Sequence, residues 1–128
     1  MLRVDPAKAA PVLSRNPRVA AAWVFGSARE GRVRSGSDLD IAVLFDAAPS
    51  LDEWADLRAD LQEALGFEEI DLVILNEASP ILRFEAVSGR RVYCRDEAVA
   101  AAFVSLTARE YEDELALAEK GLHARFFS

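Results

Sequence analysis

The chain has 128 residues, 52% of them hydrophobic, and 22 Asp and Glu against 15 Lys and Arg give a formal charge of −7. That length suits one domain burying about two thirds of its unfolded surface, and the composition excludes a disordered or low-complexity chain. A net negative chain repels a phosphate backbone, which disfavours general nucleic-acid binding, and no stretch approaches the roughly 20 apolar residues of a membrane span.

The opening "MLRVDPAKAA" lacks the apolar core of a secretion signal, and the lone Cys94 permits no internal disulfide, so a cytoplasmic protein is expected. Asp5-Pro6 marks a helix start that should run to about Asn16-Pro17. "VAAAWVF" at 19–25 and "DLDIAVLF" at 38–45 read as strands. Ser50 with Glu53 forms a capping box before a helix over 51–65, whose stripe is Leu51, Trp54, Leu57, Leu61 and Leu65 and whose stop is Gly66.

"EEIDLVIL" at 68–75 predicts a third strand, 80–88 a short helix and "RRVYC" at 90–94 a fourth strand. The tail from Asp96 is helical, with an apolar stripe Val99, Phe103, Leu106 that resumes out of phase as Tyr111, Leu115, Ala118, Leu122. This predicts a break, with Thr107 to Glu110 as the capping box of a second helix. The expected architecture is α+β, with α/β-like alternation: a small mixed sheet of about four strands flanked by helices, in one domain of 1–128 with a core over about 15–95 and a helical tail over 96–128.

The chemistry is concentrated in "VFGSAREGRVRSGSDLDIAVLF". Asp38 and Asp40 stand two residues apart, roughly 6 to 7 Å along a strand, on one face. Leu39, Ile41, Val43 and Phe45 make the other face the expected core. Two carboxylates so placed repel unless a cation lies between them, and hard oxygen ligands suit Mg²⁺. Upstream, Gly26-Ser27 breaks the preceding strand where backbone N–H groups and a hydroxyl can cradle phosphate. Metal-binding acids and a phosphate cradle at the ends of adjacent strands are the two halves of a nucleoside-triphosphate site. Trp23 and Trp54 read as core anchors, and His123, the sole histidine, as a surface residue that leaves no basis for a triad or a zinc site.

Gly26-Ser27, ten residues, then Asp38-x-Asp40 resembles the signature of the DNA polymerase beta-like nucleotidyltransferases, specifically their minimal branch, over residues 15–94. The resemblance implies a nucleotidyltransferase fold, ATP as substrate and two Mg²⁺ ions. It also implies a third carboxylate from a later strand, for which Asp71 is the candidate and Glu69 the runner-up. Gly26, Ser27, Arg29 and Ser37 are then the expected nucleotide-binding residues. One departure stands out: minimal members often carry Arg immediately before the glycine that follows the Gly-Ser turn, whereas here Glu30 precedes Gly31 and Arg29 sits one residue earlier.

Minimal nucleotidyltransferases are often antitoxins of helical HEPN toxins, so the resemblance further implies AMP transfer from ATP to a toxin tyrosine. The alternatives are a non-catalytic antitoxin that neutralises by contact, and a small-molecule nucleotidyltransferase working with a second helical subunit. Phe126 and Phe127 close the tail where a polar end is usual, and either dock on the partner or on a second copy in a homo-oligomer, or fold back onto the chain's own sheet.

Overall fold

The computed structural model describes residues 2–127, and the side chains of residues 3–121. His123, Phe126 and Phe127 therefore have side chains outside the described set. The elements are β1 (Leu2–Arg3), a 3-10 turn (Pro6–Lys8), α1 (Ala9–Ser14), β2 (Val19–Phe25), a 3-10 turn (Gly26–Ala28) and β3 (Arg32–Val33). There follow β4 (Leu39–Phe45), α2 (Leu51–Leu65), β5 (Ile70–Ile74), α3 (Pro80–Val87), β6 (Arg90–Cys94) and α4 (Glu97–Phe127).

The main sheet is mixed, in the order β5-β4-β2-β6. β2 pairs antiparallel with both β4 and β6, and β4 pairs parallel with β5. The parallel pair follows from α2, which carries the chain from the end of β4 back to the start of β5. The capping box forms as predicted: Glu53 N–H donates to Ser50 Oγ at 3.1 Å, Ser50 N–H donates to Glu53 Oε1 at 3.1 Å, and Gly66 ends the helix in the left-handed region.

Both faces of the sheet are core. Leu39, Ile41, Val43 and Phe45 pack with Leu13, Leu57 and Leu61 beneath α1 and α2. Ala42 and Leu44, on the face expected to be open, are buried with Trp23, Phe25, Ala86 and Ala100 beneath α3 and α4. The short helix and the tail close over that second face. It accepts small side chains from β4, which is why the strand reads as apolar on both sides.

Three further expectations are corrected. The first helix is split, because Pro6 opens a 3-10 turn capped by Asp5, whose carboxylate accepts from Ala7 N–H at 3.1 Å, before α1 begins at Ala9. Leu51 is 78% exposed and leaves the α2 stripe. The tail is one helix from Glu97 to Phe127 without a break at Thr107. Its inward stripe is Ala100, partly buried Phe103 and Thr107, with Val99 and Leu106 exposed instead, and it leads to Tyr111, which stacks on Phe84 with ring centroids 3.9 Å apart. Thr107 is fully buried, so a polar residue in the middle of the stripe made a continuous face look like two.

The β5 edge is closed to strand addition on its carbonyl side. Trp54 Nε1 donates to Leu72 O and Arg58 Nε to Ile70 O, each at 2.9 Å. Among the described residues no helix is long and apolar enough to cross a membrane.

Candidate active site

The site lies where β2 ends and β4 and β5 begin. β2 leaves the sheet at Gly26, which adopts φ +75° and turns the chain over the start of β4. A Cβ at position 26 would overlap Asp40 Oδ2, so glycine serves here both the backbone angle and the close approach to the carboxylate. Phe25 and Asp40 are register partners across the β2–β4 pair.

Asp40 and Asp71 are register partners across the parallel β4–β5 pair, as Asp71's candidacy required. Asp40 is half-buried at the mouth of the second core, while Asp38 and Asp71 are exposed. Burial, then the charges of Asp71 and Asp38, a hydrogen bond with Asp71 and finally the charge of Glu85 push the Asp40 carboxyl up to about 6. Three acids therefore act on Asp40, and one of them, Glu85, lies outside the sequence pattern. Glu85 went unnoticed because it lies on α3, outside any strand motif. Its only signal is helical phase, three residues after Leu82, which packs on the second core.

Asp38 precedes β4 and does not close a cage with the other two. Among the described residues no group of three or more His, Cys, Asp or Glu is arranged to hold a metal ion, and of the expected Asp38, Asp40 and Asp71 the strand register brings Asp40 and Asp71 face to face. Glu69 stays exposed and contributes its carbonyl, which accepts from Leu39 N–H at 2.8 Å. The donor set still suits a divalent cation: two facing carboxylates, one with its proton affinity raised by its neighbours, have a repulsion that a cation relieves.

Beside the acids opens a cavity of about 760 Å³ lined by Ser27, Glu30, Arg32, Arg34 and Ser37. Ser27 and Ser37, two of the residues expected to bind nucleotide, line it. Arg29 does not line this cavity, and its Nε stands 3.9 Å from Glu30 Oε1. Arg32 and Arg34 line the cavity, because the 3-10 turn spends residues 26–28 before the chain reaches Gly31 and β3 presents alternate residues: Val33 inward and fully buried, Arg32 outward.

This loop is held by its own ribbon. β1 pairs with β3, Val4 N–H donates to Gly31 O at 2.8 Å, and a Cβ on Gly31, itself at φ +84°, would lie 2.5 Å from Val4 O. The cavity thus carries two arginines and two hydroxyls together with Glu30, close to a pair of mutually repelling carboxylates.

Comparison with known proteins agrees with that geometry. The family described as Polymerase beta, Nucleotidyltransferase matches residues 7–98. A Methanocaldococcus jannaschii protein named "Putative protein adenylyltransferase" is 34% identical over 76 residues, 59% of this chain and 80% of its own. Among solved structures, a chain from a toxin-antitoxin complex with AMP-PNP superposes with a TM-score of 0.78 at 25% identity, covering 94% of this chain and 97% of that one. A chain from a tyrosine-to-alanine mutant of the MntA-HpeT toxin-antitoxin gives 0.73 at 27% identity, with 89% and 91% covered. The fold is also that of a chain from a Shewanella oneidensis complex of tri-AMPylated HEPN toxin and MNT antitoxin, with a TM-score of 0.69, 23% identity and 89% of each chain covered. The matched span contains every strand of the main sheet and all the residues of the site, and on that basis this chain belongs to the polymerase beta nucleotidyltransferase family and is a nucleotidyltransferase.

Proposed function

We propose that the protein transfers AMP from ATP to a hydroxyl of a partner protein, a tyrosine of a HEPN toxin, and so acts as its antitoxin. The observation that carries this reading is the Asp40–Asp71 pair, in register on adjacent strands and roofed by Gly26 of the phosphate-facing turn. The relative named as a protein adenylyltransferase and the toxin-antitoxin chain solved with AMP-PNP support it.

Ser27, Ser37, Arg32 and Arg34 would hold the β and γ phosphates, leaving the α-phosphorus over the carboxylates. The acceptor oxygen attacks that phosphorus in line. An O–P bond forms, the bond to the β-phosphate oxygen breaks, and pyrophosphate leaves. Asp71, exposed at the start of β5, takes the hydroxyl proton. Asp40 and Asp71, with Asp38 at the rim, are the residues that would hold Mg²⁺, which when bound neutralises phosphate charge and stabilises the leaving group.

The test is to purify the protein with a HEPN partner, add Mg²⁺ and ATP, and locate the added mass on the partner by peptide mass spectrometry. AMP on a tyrosine, absent with Asp40→Asn, is expected. Neutralisation of the toxin that survives Asp40→Asn, with no adduct on the partner, would overturn the reading in favour of inhibition by contact.

A further inference from the structure

On the far side of the loop that bears Arg32, a second cavity of about 450 Å³ opens, sharing Glu30 and Arg32 with the first. Its cations are Arg3, Lys8, Arg32 and Arg90. Among the described residues none of these four is in an ion pair. Two acids also line the wall, Asp5, which accepts from Ala7 N–H, and Glu30, which lies beside Arg29, so the cations outnumber the acids four to two.

The ribbon that forms its rim makes the arrangement unusual. Arg3 and Arg32 are direct register partners across the antiparallel β1–β3 pair. Like charges facing each other in this way destabilise a two-stranded ribbon, which has little else to hold it. In a chain of net charge −7, four cations against two acids around one cavity, two of the cations in register on paired strands, make a locally positive site that suits an anion. Three are guanidiniums, whose planar fork suits phosphate oxygens.

We propose that this cavity is a second anion site, which binds a multiply charged phosphate ligand and shares Arg32 with the catalytic cavity. The sharing of Arg32 rests on the reading of the first cavity given above, whereas the existence of the second site does not. The shared chemistry is a phosphate group, and its source is either the pyrophosphate that nucleotidyl transfer releases or the phosphate of a nucleoside monophosphate.

The experiment is calorimetric titration of pyrophosphate, and separately of AMP, into protein already saturated with AMP-PNP. One further equivalent should bind, and Arg3→Glu with Arg90→Glu should weaken it at least about tenfold, the size expected for losing charge-assisted hydrogen bonds, while AMP-PNP affinity is unchanged. Lys8→Glu, on the exposed 3-10 turn and outside the ribbon, should weaken it in the same direction and guards against a folding defect. Tighter binding of pyrophosphate than of AMP identifies the reaction product as the source, and the reverse identifies a nucleotide. Absence of a second equivalent, insensitivity to all three substitutions, or binding of poly-glutamate in preference to either phosphate ligand would overturn the proposal. Should AMP-PNP itself fail to bind, the catalytic reading falls, and pyrophosphate titrated into the free protein with the same variants still decides the second site.

Discussion

Asp40 on β4 and Asp71 on β5 face each other in register across a parallel strand pair, with Gly26 pressed onto Asp40 from the end of β2. The chain gives up stability to hold these charges together, and the proposed chemistry explains why.

Asp40 measures that cost. Its carboxyl is raised to about 6, so the folded protein binds a proton more readily than the unfolded chain does. Stability should therefore rise as pH falls through about 6 and be lower above it. Asp40→Asn should raise the stability of the nucleotide-free protein at pH 7 by about 1 kcal/mol, discounted for the solvent that reaches the side chain, and the gain should shrink at pH 5. Thermal melts of both proteins at the two pH values check this, with transfer activity lost in the variant.

Gly26→Ala should destabilise by about 2 kcal/mol, since alanine at φ +75° is strained and its Cβ overlaps Asp40 Oδ2. Part of that cost is contact with the carboxylate. The same substitution in an Asp40→Ala background should cost less, and denaturant unfolding of the four proteins of the cycle measures the difference.

The arginines separate by position. Arg32→Ala and Arg34→Ala should each raise KM for ATP about tenfold, as expected for losing a charge-assisted hydrogen bond to phosphate, whereas Arg29→Ala should leave KM unchanged. Steady-state kinetics with purified variants settle the order.

Thr107 Oγ1 is buried with no hydrogen-bond partner among the described residues. Thr107→Val keeps the shape and removes the unpaired hydroxyl, and should stabilise by about 1 kcal/mol without altering activity. Thr107→Pro should break α4 and expose the second core, which circular dichroism would register as lost helix.

Elements with strong local signals could be read from the chain: the Ser50–Glu53 box, Gly66, and the strands β2, β4, β5 and β6. The register of Asp40 with Asp71 could not, because periodicity places each residue on a face but says nothing of which strands are neighbours. The ribbon of Leu2–Arg3 with Arg32–Val33 was missed because two residues carry no period. Arg29 was named from the resemblance, one residue away from the family's arginine position, whereas the cavity is lined by Arg32 and Arg34. The second core was hidden by small residues, Ala42, Ala86 and Ala100, which pack tightly without announcing an apolar stripe.

The most direct test of the central claim compares ATP labelled at the α-phosphate with ATP labelled at the γ-phosphate, incubated with the protein, its HEPN partner and Mg²⁺. The account predicts label on the partner from the α position only, with pyrophosphate released in equal amount, and none with Asp40→Asn or Asp71→Asn. Label from the γ position, or α label that survives both substitutions, would contradict it.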